Sequence, residues 1–354
     1  MSQGGSALSP SAVMSKKRAQ QQITKLAEEV GCPPFNKTIL LRCLRALPAL
    51  TLNAAQTKLL AVSGPFHSWA PIVDGVYLQE PPVTALTHGR YHKVDILIGS
   101  AEEDGLVRRS KTLKKFEESS EKSTSKTAFY EALQNALGGE NSNSLIKDAA
   151  TWFYSLQHSL ADYAAFSRAL ENATRDYFII CPVVKMAAHW ANRTRANIFM
   201  YHVPGSLSQH SASLPSDVQF IFGLPLHPDS EQLFTVQEQS LSLIIIQYIA
   251  NFVKSGNPNY PFIFSRKSAS EILPPWPSFL DSTEGSNYKE FALTLKNKKG
   301  LKTAECSFWN DYIETFLAST GDVSENELSR DQRGQVFPPP FTQTQPQPAK
   351  EVYN

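Results

Sequence analysis

Phe220-Ile221-Phe222-Gly223-Leu224-Pro225-Leu226 is the stretch whose reading decides the fold, and it gains its meaning from what stands ahead of it. Six residues before Phe220 comes Leu214, followed by Pro215. The side chain of Leu214 is aliphatic and can neither accept nor donate a proton. Downstream, Val236–Lys254 predicts a long helix ending at Ser255-Gly256-Asn257-Pro258. Its apolar run, Leu241–Val253, is broken by Ser242, Gln247 and Asn251. It falls short of the ~20 residues a bilayer span needs and reads as a buried helix. Upstream, Ala196–Val203 reads as a strand closed by the turn Pro204-Gly205.

Further out, Val94-Asp95-Ile96-Leu97-Ile98-Gly99 is short, branched-aliphatic and Gly-terminated, as a buried strand should be. Helices are predicted at Ser11–Val30, Asn36–Leu47, Thr127–Leu137, Ser144–His158, Ala161–Glu171, Arg175–Trp190 and Cys306–Leu317. Strands alternating with helices predict a mostly parallel sheet covered on both faces. Few strands are legible, too few for a self-sufficient sheet in so long a chain. Residues 1–319 are read as one α/β domain. Residues 320–354 carry Pro338-Pro339-Pro340, Pro346, Pro348 and little aliphatic content, which predicts a disordered tail. No internal repeat is present.

The chain has 354 residues, 42% hydrophobic and 19% charged, enough to bury a large core. A net charge of +1 without a basic stripe gives no sign of a nucleic-acid partner. His88 and His92 are four apart but flank Gly89-Arg90, so no metal site or cofactor is expected. Four cysteines, Cys32, Cys43, Cys181 and Cys306, allow three full pairings. Three sequons, at Asn36, Asn172 and Asn192, accompany them and favour an oxidising, secretory compartment. Met1-Ser2-Gln3-Gly4-Gly5-Ser6 lacks the apolar core of a signal peptide. The expectation is a piece of a longer secreted, extracellular protein whose signal peptide lies in the N-terminal part missing here.

A set of phrases in fixed order now points to one family. Gly4-Gly5-Ser6-Ala7-Leu8-Ser9-Pro10 resembles the segment after the nucleophile elbow of carboxylesterases. Pro71-Ile72-Val73-Asp74-Gly75, Ile98-Gly99 through Asp104-Gly105, Gly256-Asn257-Pro258, Pro275-Trp276-Pro277 and Cys306-Ser307-Phe308-Trp309 resemble successive later landmarks of the same family. The chain thus resembles the C-terminal portion of a cholinesterase-like (carboxylesterase type B) α/β-hydrolase, with the nucleophile region absent. The resemblance places Asp104 at the triad acid and Leu214 where the family has its histidine. No G-x-S-x-G occurs in this chain, and His210, four residues before Leu214, is the only nearby substitute. The resemblance therefore implies a dead triad, with Asp104 left as a turn or cap carboxylate. It also implies the pairings Cys32–Cys43 and Cys181–Cys306, and a homodimer built through C-terminal helices bearing Phe308, Trp309 and Tyr312.

Within the family the nearest resemblance is to the inactive, secreted branch that serves as a thyroid hormone precursor. That implies a role in folding, dimerisation and export, with endoplasmic reticulum chaperones as partners and thyroid peroxidase as the modifying enzyme. It further implies that some accessible tyrosines are iodinated and coupled. Tyr353, in the tail, and Tyr163, beside Asp162, are the candidate acceptors; Tyr130, on a polar stretch, is the candidate donor. Tyr77, Tyr177, Tyr201, Tyr248 and Tyr312 sit in apolar contexts and read as core. The alternatives are a fragment of an active secreted carboxylesterase, or a neuroligin-like adhesion domain.

Overall fold

Two six-residue strands, β2 (Ile96–Ala101) and β3 (Ile198–Val203), pair in parallel with Gly99 opposite Tyr201. The computed structural model describes residues 1–63, 69–104, 125–137, 144–155, 163–205, 207, 216–230, 233–260, 275–280, 285–316 and 318–319. All six residues of β3 are buried, as a strand covered on both faces requires. On one outer side β1 (Ser2–Gln3) pairs with β2, and on the other β4 (Asn287–Glu290) pairs with β3, both in parallel. β5 (Lys296–Lys299) turns back antiparallel on β4, giving the order β1-β2-β3-β4-β5.

The period of two along β2 and β3 divides their side chains between two cores. Ile98, Ile198 and Met200 face one core, where they meet Phe129 and Leu133 of α5 (Ser125–Leu137) and Phe166 and Leu170 of α7 (Tyr163–Arg175). Leu97, Phe199, Tyr201 and Val203 face the other, with Phe220 of α9 (Ser216–Ile221), Leu241, Ile245 and Tyr248 of α10 (Val236–Ser255), and Trp276. A small satellite core, Ala27, Cys32 and Leu40, lies under α1 (Lys16–Glu29) and α2 (Lys37–Ala46). The remaining helices are α3 (Ala49–Ser63), α4 (Pro82–Thr87), α6 (Ser144–Ser155), α8 (Cys181–Arg193) and the short α11 (Thr303–Ser307).

Local chemistry sets several boundaries. Thr235 caps α10 through a reciprocal bond with Glu238, and Gly256 closes it at φ +74°, a left-handed conformation that glycine adopts without a Cβ penalty. Asn36 caps α2 by accepting from the Thr38 and Ile39 amides.

Two expectations need correction. The separate helices read at Ala161–Glu171 and Arg175–Trp190 are one continuous rod: α7 passes through a π-turn, Asp176–Ile180, directly into α8. Tyr77 and Tyr312, read as core, are 89% and 56% exposed. Asp74 Oδ1 accepts from the amides of Val76, Tyr77 and Leu78, and this tight turn throws the Tyr77 ring outward. The chain divides into two units, Met1–Ile313 and Glu314–Asn354, and most of the second lies outside the described residues.

Candidate functional site

In a parallel α/β sheet, chemistry gathers at the carboxyl ends of the strands. Asp104 lies there, in the turn that leaves β2. Its Oδ2 accepts the Ala101 amide at 2.7 Å, and its own amide donates to the Ala101 carbonyl. The residue is 8% exposed. Burial pushes its pKa up to about 7, helped by the nearby Asp217 and opposed by the Ala101 hydrogen bond. Asp217, on the first turn of α9, is fully buried and accepts the Tyr201 hydroxyl at 3.2 Å. Gly4 presses on the other side, where a β-carbon would stand 3.3 Å from Asp104 Oδ1. Among the described residues, the charged groups acting on Asp104 are Asp217, Glu103 and Arg175, and none is an imidazole. His210 and Leu214 lie outside the described residues.

A second polar chain runs beside it, one that sequence reading missed because its members are spread over 102 positions. Ser100 Oγ lies 3.1 Å from His202 Nδ1, and His202 Nε2 lies 3.4 Å from Glu102 Oε2. Glu102 Oε1 meets Arg175 Nη2 at 2.7 Å, and Arg175 Nη1 donates to the Glu102 carbonyl. Burial raises the Glu102 pKa, but the His202 hydrogen bond and the Arg175 charge outweigh it and hold the carboxyl below the usual range. Serine, histidine and carboxylate thus stand in hydrolase order, yet Ser100 is fully buried and His202 nearly so. A nucleophile must reach its substrate, so this chain ties β2, β3 and α7 together instead. Ser6 is likewise committed: its hydroxyl donates to the Pro182 carbonyl and accepts from the Leu8 amide.

The tyrosines separate by environment. Tyr201 and Tyr248 are buried, and Tyr177 packs 4.6 Å from the Trp309 ring. Tyr130 on α5 is exposed and donates its phenol hydrogen to Asp148 on α6, which holds the phenol above its usual pKa. Tyr163 opens α7 but its side chain is not among those described, and Tyr353 lies outside the described residues.

Cys32 is bonded to Cys43 and Cys181 to Cys306. Of the sequon residues, Asn36 is exposed at the α2 cap, and Asn192 is exposed on the last turn of α8. Asn172 is half-buried within α7, and its Oδ1 accepts from Arg175 Nη2. Among the described residues no group of His, Cys, Asp and Glu is placed to hold a metal ion, and no helix is long and apolar enough to cross a membrane.

The profile of the carboxylesterase family matches residues 1–309. The chain is 56% identical to human (Homo sapiens) thyroglobulin over 329 residues, 92% of this chain and 12% of that protein. It is 57% identical to thyroglobulin of Mus musculus over 318 residues, and 55% identical to that of Bos taurus over 322 residues. These alignments cover 90% and 91% of this chain. The chain spans only 12% of the length of each of these relatives. The strand order, the two helical layers and the profile match agree: this chain belongs to the carboxylesterase family and has its α/β-hydrolase fold.

Proposed function

We propose that this chain is a catalytically inactive, cholinesterase-like segment of a thyroglobulin-type hormone precursor. Its similarity to the thyroglobulins over nine-tenths of its length carries the reading. The loss of catalysis follows from Leu214 at the base position, with Asp217, Glu103 and Arg175 the charged groups acting on Asp104 among the described residues. Such a module supports folding, chaperone-assisted export and homodimerisation through its C-terminal helices, in a secreted protein. Tyr353 and Tyr163 serve as acceptors and Tyr130 as donor once a thyroid-type peroxidase has iodinated them. The same peroxidase, with its peroxide as the two-electron oxidant, then couples a pair: the donor's ring passes to the acceptor's phenolic oxygen, dehydroalanine is left behind, and the two hydrogens removed leave as water. Tyr353 suits this role because a Pro/Gln-rich tail of its length sweeps roughly 30 Å by random-coil scaling.

Asn36, Asn172 and Asn192 carry N-glycans in this reading. The Asn36 and Asn172 side-chain oxygens accept hydrogen bonds, which leaves the amide nitrogens for the sugar. Thr174, the third residue of the Asn172 sequon, is fully buried and donates to the Leu170 carbonyl, so transfer there must precede folding.

Mass spectrometry of the peptide after Lys350 in peroxidase-iodinated protein tests the hormone reading. Iodothyronine at Tyr353 is expected; an unmodified Tyr353 beside iodothyronine at interior tyrosines would overturn it. Ester turnover by the chain joined to its upstream sequence, abolished by His210→Ala, would overturn the claim of inactivity.

A further inference from the structure

We propose that Asp148 is a positioning residue that holds the Tyr130 ring on α6 until the ring is iodinated, and that iodination itself releases it. This rests on the reading of Tyr130 as a donor tyrosine. α5 and α6 pack side by side, and the Tyr130 hydroxyl donates to Asp148 Oδ1 at 2.5 Å across that contact. Both residues are exposed, so an iodinating reagent reaches the ring without opening the core. Asp148 is the charged group that raises this phenol's pKa, through its hydrogen bond first and its charge as well.

A neutral phenol and a carboxylate at that distance share one proton in a charge-assisted hydrogen bond. Each iodination replaces a ring C–H ortho to the hydroxyl by C–I, the displaced proton joining the hydroxide of a hypoiodous acid equivalent as water. Iodine withdraws electron density from the ring and favours the phenolate. Two anions then face each other where a hydrogen bond stood, and like charges at this distance disfavour joint ionisation. The pair separates, and the ring gains the freedom that coupling demands of a donor. An unmodified Tyr130, still held, is kept out of premature encounters. The order of events, modification and then mobility, is therefore written into one carboxylate.

The test uses the whole chain, iodinated chemically with iodine monochloride so that no peroxidase is needed. Amide hydrogen exchange over Ser144–Ser155, corrected for intrinsic rates, reads the α5–α6 contact. Diiodination of Tyr130 should raise exchange several-fold at pH 7.5 and leave it unchanged at pH 5, where the phenol is protonated. In Asp148→Asn the acceptor remains but the second charge is gone, so iodination should change nothing. Tyr130→Phe, which lacks the phenol and cannot be iodinated there, should show the same exchange before and after the reagent. Unchanged exchange on diiodination of the wild type, or an equal rise in Asp148→Asn, overturns the proposal. The donor reading fails separately: peroxidase coupling that leaves no dehydroalanine at position 130, with the exchange response intact, sinks that role alone.

Discussion

Gly99 and Tyr201 face each other across the parallel β2–β3 pair, and the Tyr201 ring fills the space a β-carbon at position 99 would occupy. The ring is fully buried, stacks on Phe291 at 5.0 Å, and cannot withdraw without losing the hydrogen bond from its hydroxyl to Asp217. Gly99→Ala should therefore destabilise the chain by on the order of 3 kcal/mol, the upper range for overpacking a close-packed core. Denaturant midpoints check this. Gly99→Ala combined with Tyr201→Ala should cost less than the sum of the two single changes, because the second relieves the clash caused by the first. Strict additivity would show that the ring is not the obstacle.

Asp104 makes stability depend on pH in an unusual direction. Its folded pKa, about 7, lies above the ordinary carboxyl value of 3.8, so the folded state binds the extra proton. Its stabilising contribution is complete below pH 3.8 and is lost as pH rises through 7. Asp176, pushed up mainly by burial to about 6, acts in the same direction over a narrower window. Asp104→Asn keeps an acceptor for the Ala101 amide and removes a buried charge beside Asp217, Glu103 and Arg175. We expect Asn to match Asp near pH 4 and to exceed it by on the order of 1–3 kcal/mol at pH 8. Urea midpoints measured from pH 4 to 8 decide it; parallel curves for the two proteins would refute the assignment.

Tyr154 joins three elements through one oxygen. Its hydroxyl donates to Asp176 Oδ2 at 2.9 Å and accepts from Trp309 Nε1 at 3.0 Å. Asp176 Oδ1 already has no hydrogen-bond partner among the described residues, so little reserve exists. Tyr154→Phe should cost about 1–3 kcal/mol, the range for leaving buried polar groups unmade. A thermal midpoint within a degree of wild type would show that water replaces the hydroxyl. Trp309→Phe removes the donor to Tyr154 together with part of a buried ring that packs on Tyr177 and Phe308, so it should also lower the midpoint.

Much of the architecture was legible where local chemistry and burial agree. The helix read from Asn36 and ended by Pro48, the long helix read over Val236–Lys254 with its stop at Gly256, and the apolar runs of β2 and β3 are all signals within a few residues of the structure they make. β4 and β5 were not legible. Lys296–Lys299 is lysine-rich and wholly exposed, an edge strand shaped to repel further pairing, so no alternation marks it. β1 is two residues long, too short to leave a pattern. The site was legible only at Asp104. Its partner Asp217 and the Ser100–His202–Glu102–Arg175 chain exist only once distant strand ends meet, and no spacing rule records that. Tyr77 and Tyr312 failed because apolar neighbours in sequence do not say which side of a turn or helix a ring takes.

The two disulfides should differ in worth. Cys32–Cys43 closes a separation of 11 residues beside a three-residue satellite core. Cys181–Cys306 closes 125 residues, and both of its cysteines are buried in the larger core, where Phe308 and Trp309 pack on α6 and α8. Asn310 adds a parallel tie by donating to the Cys181 carbonyl at 3.0 Å. In the chain-entropy account, cross-linking removes freedom from the unfolded chain in proportion to the logarithm of loop length, giving about 5 kcal/mol for the long loop and about 3 kcal/mol for the short one. Replacing both cysteines of a pair by alanine avoids a stray thiol. Cys181→Ala/Cys306→Ala should therefore lower the denaturation midpoint more than Cys32→Ala/Cys43→Ala, and should be retained in the secretory pathway when the full precursor is expressed. The short-loop variant should be exported, at reduced yield. A larger loss from the short loop would mean that native packing around Cys32, rather than unfolded-state entropy, sets the value of these bonds.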